Sequence, residues 1–146
     1  MSLRELYQDI IVDHGKNPRN FSILKEANHH QEGYNPLCGD KVTLYVNECD
    51  GVVCDISFQG CGCAIAMASA SLMTQIVKGK TVKEIAILFE CFQQLVMKGD
   101  ASSDNLGKLM AFRGVFEFPA RVKCATLAWH TLKAVLANEK KPVSTE

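Results

Sequence analysis

Apolar positions along this chain fall into stretches of distinct period. Leu3, Leu6, Tyr7, Ile10, Ile11 and His14 share one face at helical spacing, which predicts an amphipathic opening helix stopped at Gly15 and Asn17-Pro18. Residues 22–33 are polar and irregular, and no element is assigned there. Val42, Leu44 and Val46 then alternate with Lys41, Thr43 and Tyr45, Asp50-Gly51 gives a turn, and Val52, Cys54, Ile56 and Phe58 alternate again. That is an antiparallel hairpin. Residues 64–77 form a helix of small residues with Ile65, Ala68, Leu72 and Ile76 as its apolar stripe, ended by Gly79. The capping box Thr81-Val82-Lys83-Glu84 opens a second helix to about Met97, with Ile85, Leu88, Phe89, Phe92 and Val96 inward.

Residues 99–104 read as a loop, 106–112 as a short helical piece, and Phe116-Glu117-Phe118-Pro119 as a turn. In the final helix Val122, Ala125, Ala128, Trp129, Leu132, Val135 and Leu136 repeat at helical spacing. The charged stretch 138–146 is expected to fray. A length of 146 residues with 47% hydrophobic residues fits one domain, 1–146, with a real core. Lysines and arginines balance the acidic residues to a formal charge of zero, so nothing favours nucleic acid or an anionic membrane. No apolar run approaches the roughly 20 residues that span a bilayer. The opening residues lack the pattern of a secretory signal, and a cytoplasmic protein is expected.

Seven cysteines in such a chain point away from disulfides. Three lie where chemistry is easier to arrange than burial. Cys38 and Asp40 flank Gly39 in the loop entering the first hairpin strand. Cys61 and Cys63 lie in the loop leaving its partner, and antiparallel pairing brings both loops to the same end of the sheet. Cys63 falls at the amino end of a helix, where backbone N–H groups stabilise a thiolate. Cys124 falls in the expected first turn of the last helix, beside Lys123 and near Arg121, two cations that favour an anion there. Cys38, Cys63, Cys124 and Asp40 are enough ligands for a tetrahedral centre. Three thiolates suit zinc or an iron–sulfur centre better than magnesium or calcium.

The remaining candidates divide by position. Cys61 could chelate beside Cys63, although one intervening residue is tight for two ligands on one ion. Cys54 and Cys91 lie on apolar faces and read as core residues, and Cys49 as an incidental thiol at a turn. His14 reads as a partly buried histidine with a hydrogen-bond partner, His29-His30 as a solvated pair, and His130 as exposed. No histidine makes a persuasive fourth ligand.

The motifs together resemble a known family. Asp13-His14, Lys16-Asn17-Pro18-Arg19-Asn20, Asn35-Pro36-Leu37-Cys38-Gly39-Asp40, the run from Gly60 through Thr74, and Phe118-Pro119-Ala120-Arg121-Val122-Lys123-Cys124 are similar to the U-type iron–sulfur cluster assembly proteins, the IscU/NifU N-terminal family. Lys123 stands where the IscU branch carries histidine, and the insertion of the SUF-type (SufU) branch falls within roughly residues 98–117. The resemblance implies an α/β (α+β) fold with a small antiparallel three-stranded sheet packed against several helices. It implies that Cys38, Asp40, Cys63 and Cys124 converge on one exposed site that usually holds zinc in the SUF-type branch. It also implies a cysteine desulfurase of the SufS type as partner, with a downstream iron–sulfur scaffold or apo-proteins beyond it.

Two functions follow from the resemblance. In sulfur relay, Cys38 is freed from zinc and attacks a persulfide, with Asp40 and Arg121 positioning and stabilising the exchanging thiolate. In scaffolding, the same residues bind iron and sulfide and assemble a [2Fe-2S] cluster for transfer. Cys61 departs from the family pattern, and its role stays open.

Overall fold

A computed structural model of the chain describes residues 2–100, 104–138 and 142–145. In chain order its elements are α1 (Leu3–Lys16), β1 (His29–Asn35), β2 (Asp40–Cys49), β3 (Val52–Cys61), α2 (Ala64–Val77), α3 (Val82–Lys98), a 3-10 segment (Asp104–Glu117), α4 (Pro119–Leu136) and β4 (Val143–Ser144). Alternation builds β2 as expected: Val42, Leu44 and Val46 are fully buried, while Lys41, Thr43 and Tyr45 hold the opposite face. At Asn47/Glu48 the register with β3 shifts. A bulge of this kind exchanges the two faces beyond it. Val53, rather than Val52 or Cys54, therefore enters the core, and Ile56 and Phe58 keep their expected places.

The same shift corrects two expectations about cysteines. Cys54 is not a core residue, and Cys49 is not an isolated thiol. The turn at Asp50-Gly51 folds them onto each other as a disulfide with a Cα–Cα distance of 6.1 Å. That spacing lies within the range disulfides occupy, about 4.4–6.8 Å. Cys91 is half-buried on α3 and packs against the core, as expected.

The sheet has four strands in the order β3-β2-β1-β4, not three. β1 runs antiparallel to β2, and β4 pairs parallel with β1 through Gly33↔Val143 and Tyr34↔Ser144. β1 escaped assignment because its buried face consists of Gln31, Gly33 and Asn35, which carry no apolar period. Its outer edge leaves backbone groups to be paired, and residues expected to fray pair them: the Thr145 N–H donates to the Tyr34 carbonyl at 3.1 Å.

Helices cover the inner face. α2 packs against α1, α4 and β3, so its burial extends well beyond the expected stripe to Ser69, Ser71 and Thr74. Those hydroxyls find partners, as buried polar groups must. Ser69 donates to the Ala125 carbonyl at 2.6 Å and accepts from Trp129 Nε1 at 3.2 Å. Ser71 accepts the Arg19 N–H at 2.8 Å and stands 2.7 Å from His14 Nδ1. The contact ties α1 to α2 through a buried imidazole, its donor set by the tautomer of His14.

α3 opens on the expected capping box, with both arms formed between Thr81 and Glu84, and ends at Gly99. Phe92 stacks on Trp129 at 4.9 Å, joining α3 to α4 in the core. His130 is not exposed: it is half-buried, with Phe89 edge-on at 5.1 Å.

Candidate metal centre

The end of the sheet opposite the disulfide gathers the chemistry. Register pairs Asn35 with Asp40 and Lys41 with Cys61, so β1 ends, β2 begins and β3 ends at one level. Residues 36–39 turn the chain between β1 and β2, with the Cys38 N–H donating to the Asn35 carbonyl at 3.3 Å. Gly39 takes a φ of 71°, a left-handed conformation that glycine adopts without penalty. Cys38 thus stands half-buried on a short turn, and Asp40, the first residue of β2, is 1% exposed.

The Asp40 carboxylate is held at both oxygens. Oδ1 accepts the Cys63 N–H at 2.9 Å, and Oδ2 accepts from Asn35 Nδ2 at 3.2 Å. Gly62 makes the first bond possible: a Cβ there would lie 2.5 Å from Asp40 Oδ1. Cys63 is the N-cap of α2, and its sulfur accepts the Ala66 N–H at 3.4 Å. A thiolate has lone pairs to spare, so this cap does not compete with a metal.

Cys124 reaches the site from α4. The helix starts at Pro119, one turn earlier than expected, which puts Cys124 in the second turn rather than the first. Its thiol lies 3.8 Å from the Ala120 carbonyl of its own helix. The free N–H groups of the helix start therefore do not serve Cys124. Burial pushes its thiol far above the ordinary range, and neighbouring Asp40, Cys38 and Cys63 push it the same way. Arg121 is exposed and sets a positive charge against Cys124. Its contact with the Cys124 sulfur, then the charges of Cys63, Cys124 and Cys38, hold its guanidinium protonated.

Among the described residues, Cys38, Asp40 and Cys124 place one ligand atom each within 4.8 Å of one another. Donor atoms around a tetrahedral zinc stand about 3.5 Å apart, so the group needs only a small contraction. Cys63 lies outside that distance and borders the group through its N–H bond to Asp40. Cys61 ends β3, exposed, and the group includes no histidine. The donor set fits zinc: two soft sulfurs and one carboxylate gathered at one point.

Sequence reasoning missed Asn35. It is fully buried, and besides the bond to Asp40 its Nδ2 donates to Cys124 Sγ at 3.4 Å. Only its place beside Cys38 in the chain hinted at a role, because Cys124 lies 89 residues away. No helix among the described residues is long and apolar enough to cross a membrane.

A family profile described as the NifU-like N terminal domain matches residues 6–137. The zinc-dependent sulfurtransferase SufU of Bacillus subtilis is 41% identical over 141 residues, covering 95% of each chain. The iron–sulfur cluster assembly scaffold protein IscU of Thermotoga maritima is 37% identical, covering 97% of this chain and 100% of that one. A crystal structure described as an iron–sulfur cluster assembly scaffold protein for the SUF system, from Fervidobacterium islandicum AW-1, superposes with a TM-score of 0.82 at 32% identity, covering 92% of this chain and 99% of that one.

Proposed function

The chain belongs to the NifU-like N-terminal domain family, and on that footing we propose that it is a zinc-bound sulfur acceptor in iron–sulfur cluster assembly. Residues 1–146 act as one unit. It takes persulfide sulfur on Cys38 from a cysteine desulfurase of the SufS type and passes it toward a scaffold or apo-protein. The observation that carries this reading is the meeting of Cys38, Asp40 and Cys124 within 4.8 Å at one end of the sheet. Cys38, Asp40, Cys63 and Cys124 would hold the metal, which, when bound, keeps its thiol ligands in the thiolate form near neutral pH.

The residues divide the work by how firmly each is held. Asp40 is bonded at both oxygens and Cys124 is fully buried in a helix, whereas Cys38 sits half-buried on a turn of four residues. Cys38 is therefore the ligand free to leave and react. Its thiolate attacks the outer sulfur of the donor's persulfide. A sulfur–sulfur bond forms to Cys38, the donor's own breaks, and the donor departs as a thiolate, with no net oxidation. Arg121 places a fixed cation beside the thiols and stabilises that negative charge. Such chemistry needs Cys38, Cys63 and Cys124 reduced, as they are here, and a cytoplasmic setting keeps them so, although the Cys49–Cys54 disulfide runs against that setting.

Scaffolding of a [2Fe-2S] cluster is the second reading, favoured by the likeness to a protein named as an IscU scaffold. Lys123, standing where that branch carries histidine, favours relay. Metal analysis with a visible spectrum on anaerobically purified protein separates the two. Relay predicts one zinc and no colour. A brown protein with iron and acid-labile sulfide contradicts it.

A further inference from the structure

Asn35 is a fully buried side chain that touches two of the proposed ligands. Its amide nitrogen donates one hydrogen to Asp40 Oδ2 at 3.2 Å and the other to Cys124 Sγ at 3.4 Å. Its Oδ1 has no hydrogen-bond partner among the described residues. Both neighbours are acceptors when ionised, so the orientation of the amide is dictated: turned over, it would set a carbonyl oxygen against a carboxylate and a thiolate. A buried acceptor left without a partner costs free energy. An apolar side chain filling this position would avoid that cost, so the asparagine does something an apolar side chain could not.

We propose that Asn35 is a positioning residue that ties Asp40 of β2 to Cys124 of α4 and so preorganises two anionic ligands from distant parts of the chain. One amide group thereby fixes the spacing between a carboxylate on a strand and a sulfur on a helix. It also leaves Cys38 outside the clamp, which is why Cys38 is the ligand that exchanges. The inference rests on the metal reading of the site given above.

The test compares Asn35→Leu, which keeps the branched skeleton with added bulk and removes both donors, with Asn35→Asp, which keeps the shape and replaces the donating group with an acceptor. Zinc affinity is measured by competition with a chelator, the cobalt-substituted spectrum reports coordination, and thermal melting of metal-free protein reports the fold. Partners of this kind commonly change metal affinity about 10–100-fold. Both variants are expected to lose affinity by that factor and to shift the cobalt bands. Metal-free Asn35→Leu is expected to melt no lower than the parent. Affinity within twofold of the parent in either variant overturns the proposal. So does a parallel fall of affinity and metal-free melting temperature in Asn35→Leu, which would mark a merely structural residue. If the parent protein binds no zinc, the metal reading itself fails, an outcome distinct from either.

Discussion

The two ends of one sheet carry cysteines and treat them in opposite ways. At the β2–β3 turn, Cys49 and Cys54 come from a single hairpin, five residues apart, and close on each other as a disulfide. At the other end, Cys38, Cys63 and Cys124 come from a turn, a helix N-cap and the interior of a second helix, and all remain free thiols. The difference lies in the groups between the sulfurs. The hairpin offers only a short connection. The site interposes Asp40, held by two donors, and Asn35, which spans to Cys124. Thiols arranged around a carboxylate suit a cation; thiols brought together by a turn suit each other.

Exchanging cysteines at the two ends should have opposite consequences. Cys124→Ala removes a proposed ligand and leaves the Asn35 amide short of an acceptor. Zinc affinity is expected to fall by more than the about 100-fold typical of outer partners, read by chelator competition. Cys49→Ser with Cys54→Ser should leave zinc affinity within twofold. The double variant should instead lower unfolding stability by about 2 kcal/mol, the chain-entropy value for so short a loop, measured by denaturant titration under non-reducing conditions.

Gly62→Ala probes the site without touching a ligand. The added Cβ would meet Asp40 Oδ1 at 2.5 Å and Asp40 Cβ at 3.1 Å. Overpacking costs about 1–3 kcal/mol, and here it falls on the bond that holds the carboxylate. Weakened zinc binding is expected together with a lower melting temperature. The equivalent change at Gly51, where an added Cβ meets nothing within 4 Å, should not affect zinc.

The smallest effect concerns α1. Burial, and then the charge of Arg19, lower the His14 pKa below its ordinary value; Asp13 opposes the shift and Lys108 adds to it. Above pH 6.5 the imidazole is neutral whether the chain is folded or not, and its hydrogen bond with Ser71 contributes in full. As pH falls below 6.5 the unfolded chain takes up a proton that the folded one refuses. Stability then declines until the pH passes the lowered native value. The slope is a fraction of the about 1.4 kcal/mol per pH unit that one proton allows. Half-buried His130 adds a loss of the same sign. Denaturant titrations between pH 7 and 5 should show a shallower decline in His14→Gln than in the parent.

Much of this was legible in the chain because local rules agree with the fold. The capping box at Thr81 and Glu84, the alternation of Val42, Leu44 and Val46, and cysteines beside glycines or a helix start all carry their meaning within a few residues. What escaped depends on distant neighbours. β1 buries Gln31, Gly33 and Asn35 because α4 and β2 cover them, and no apolar period announces that. The register shift at Asn47/Glu48 turned Cys54 out of the core and toward Cys49. Pro119 opened α4 early and moved Cys124 into the second turn. β4 exists only because β1 leaves an edge to pair.

In the proposed relay Cys38 receives the sulfur while its neighbours stay in place. The direct measurement is peptide mass spectrometry of zinc-loaded protein after incubation with a cysteine desulfurase and cysteine, with zinc content followed in parallel. One added sulfur atom is expected on the peptide carrying Cys38, with zinc retained and no adduct in Cys38→Ala. Sulfur found on Cys61, Cys63 or Cys124 while Cys38 stays unmodified, or full transfer in Cys38→Ala, would contradict it.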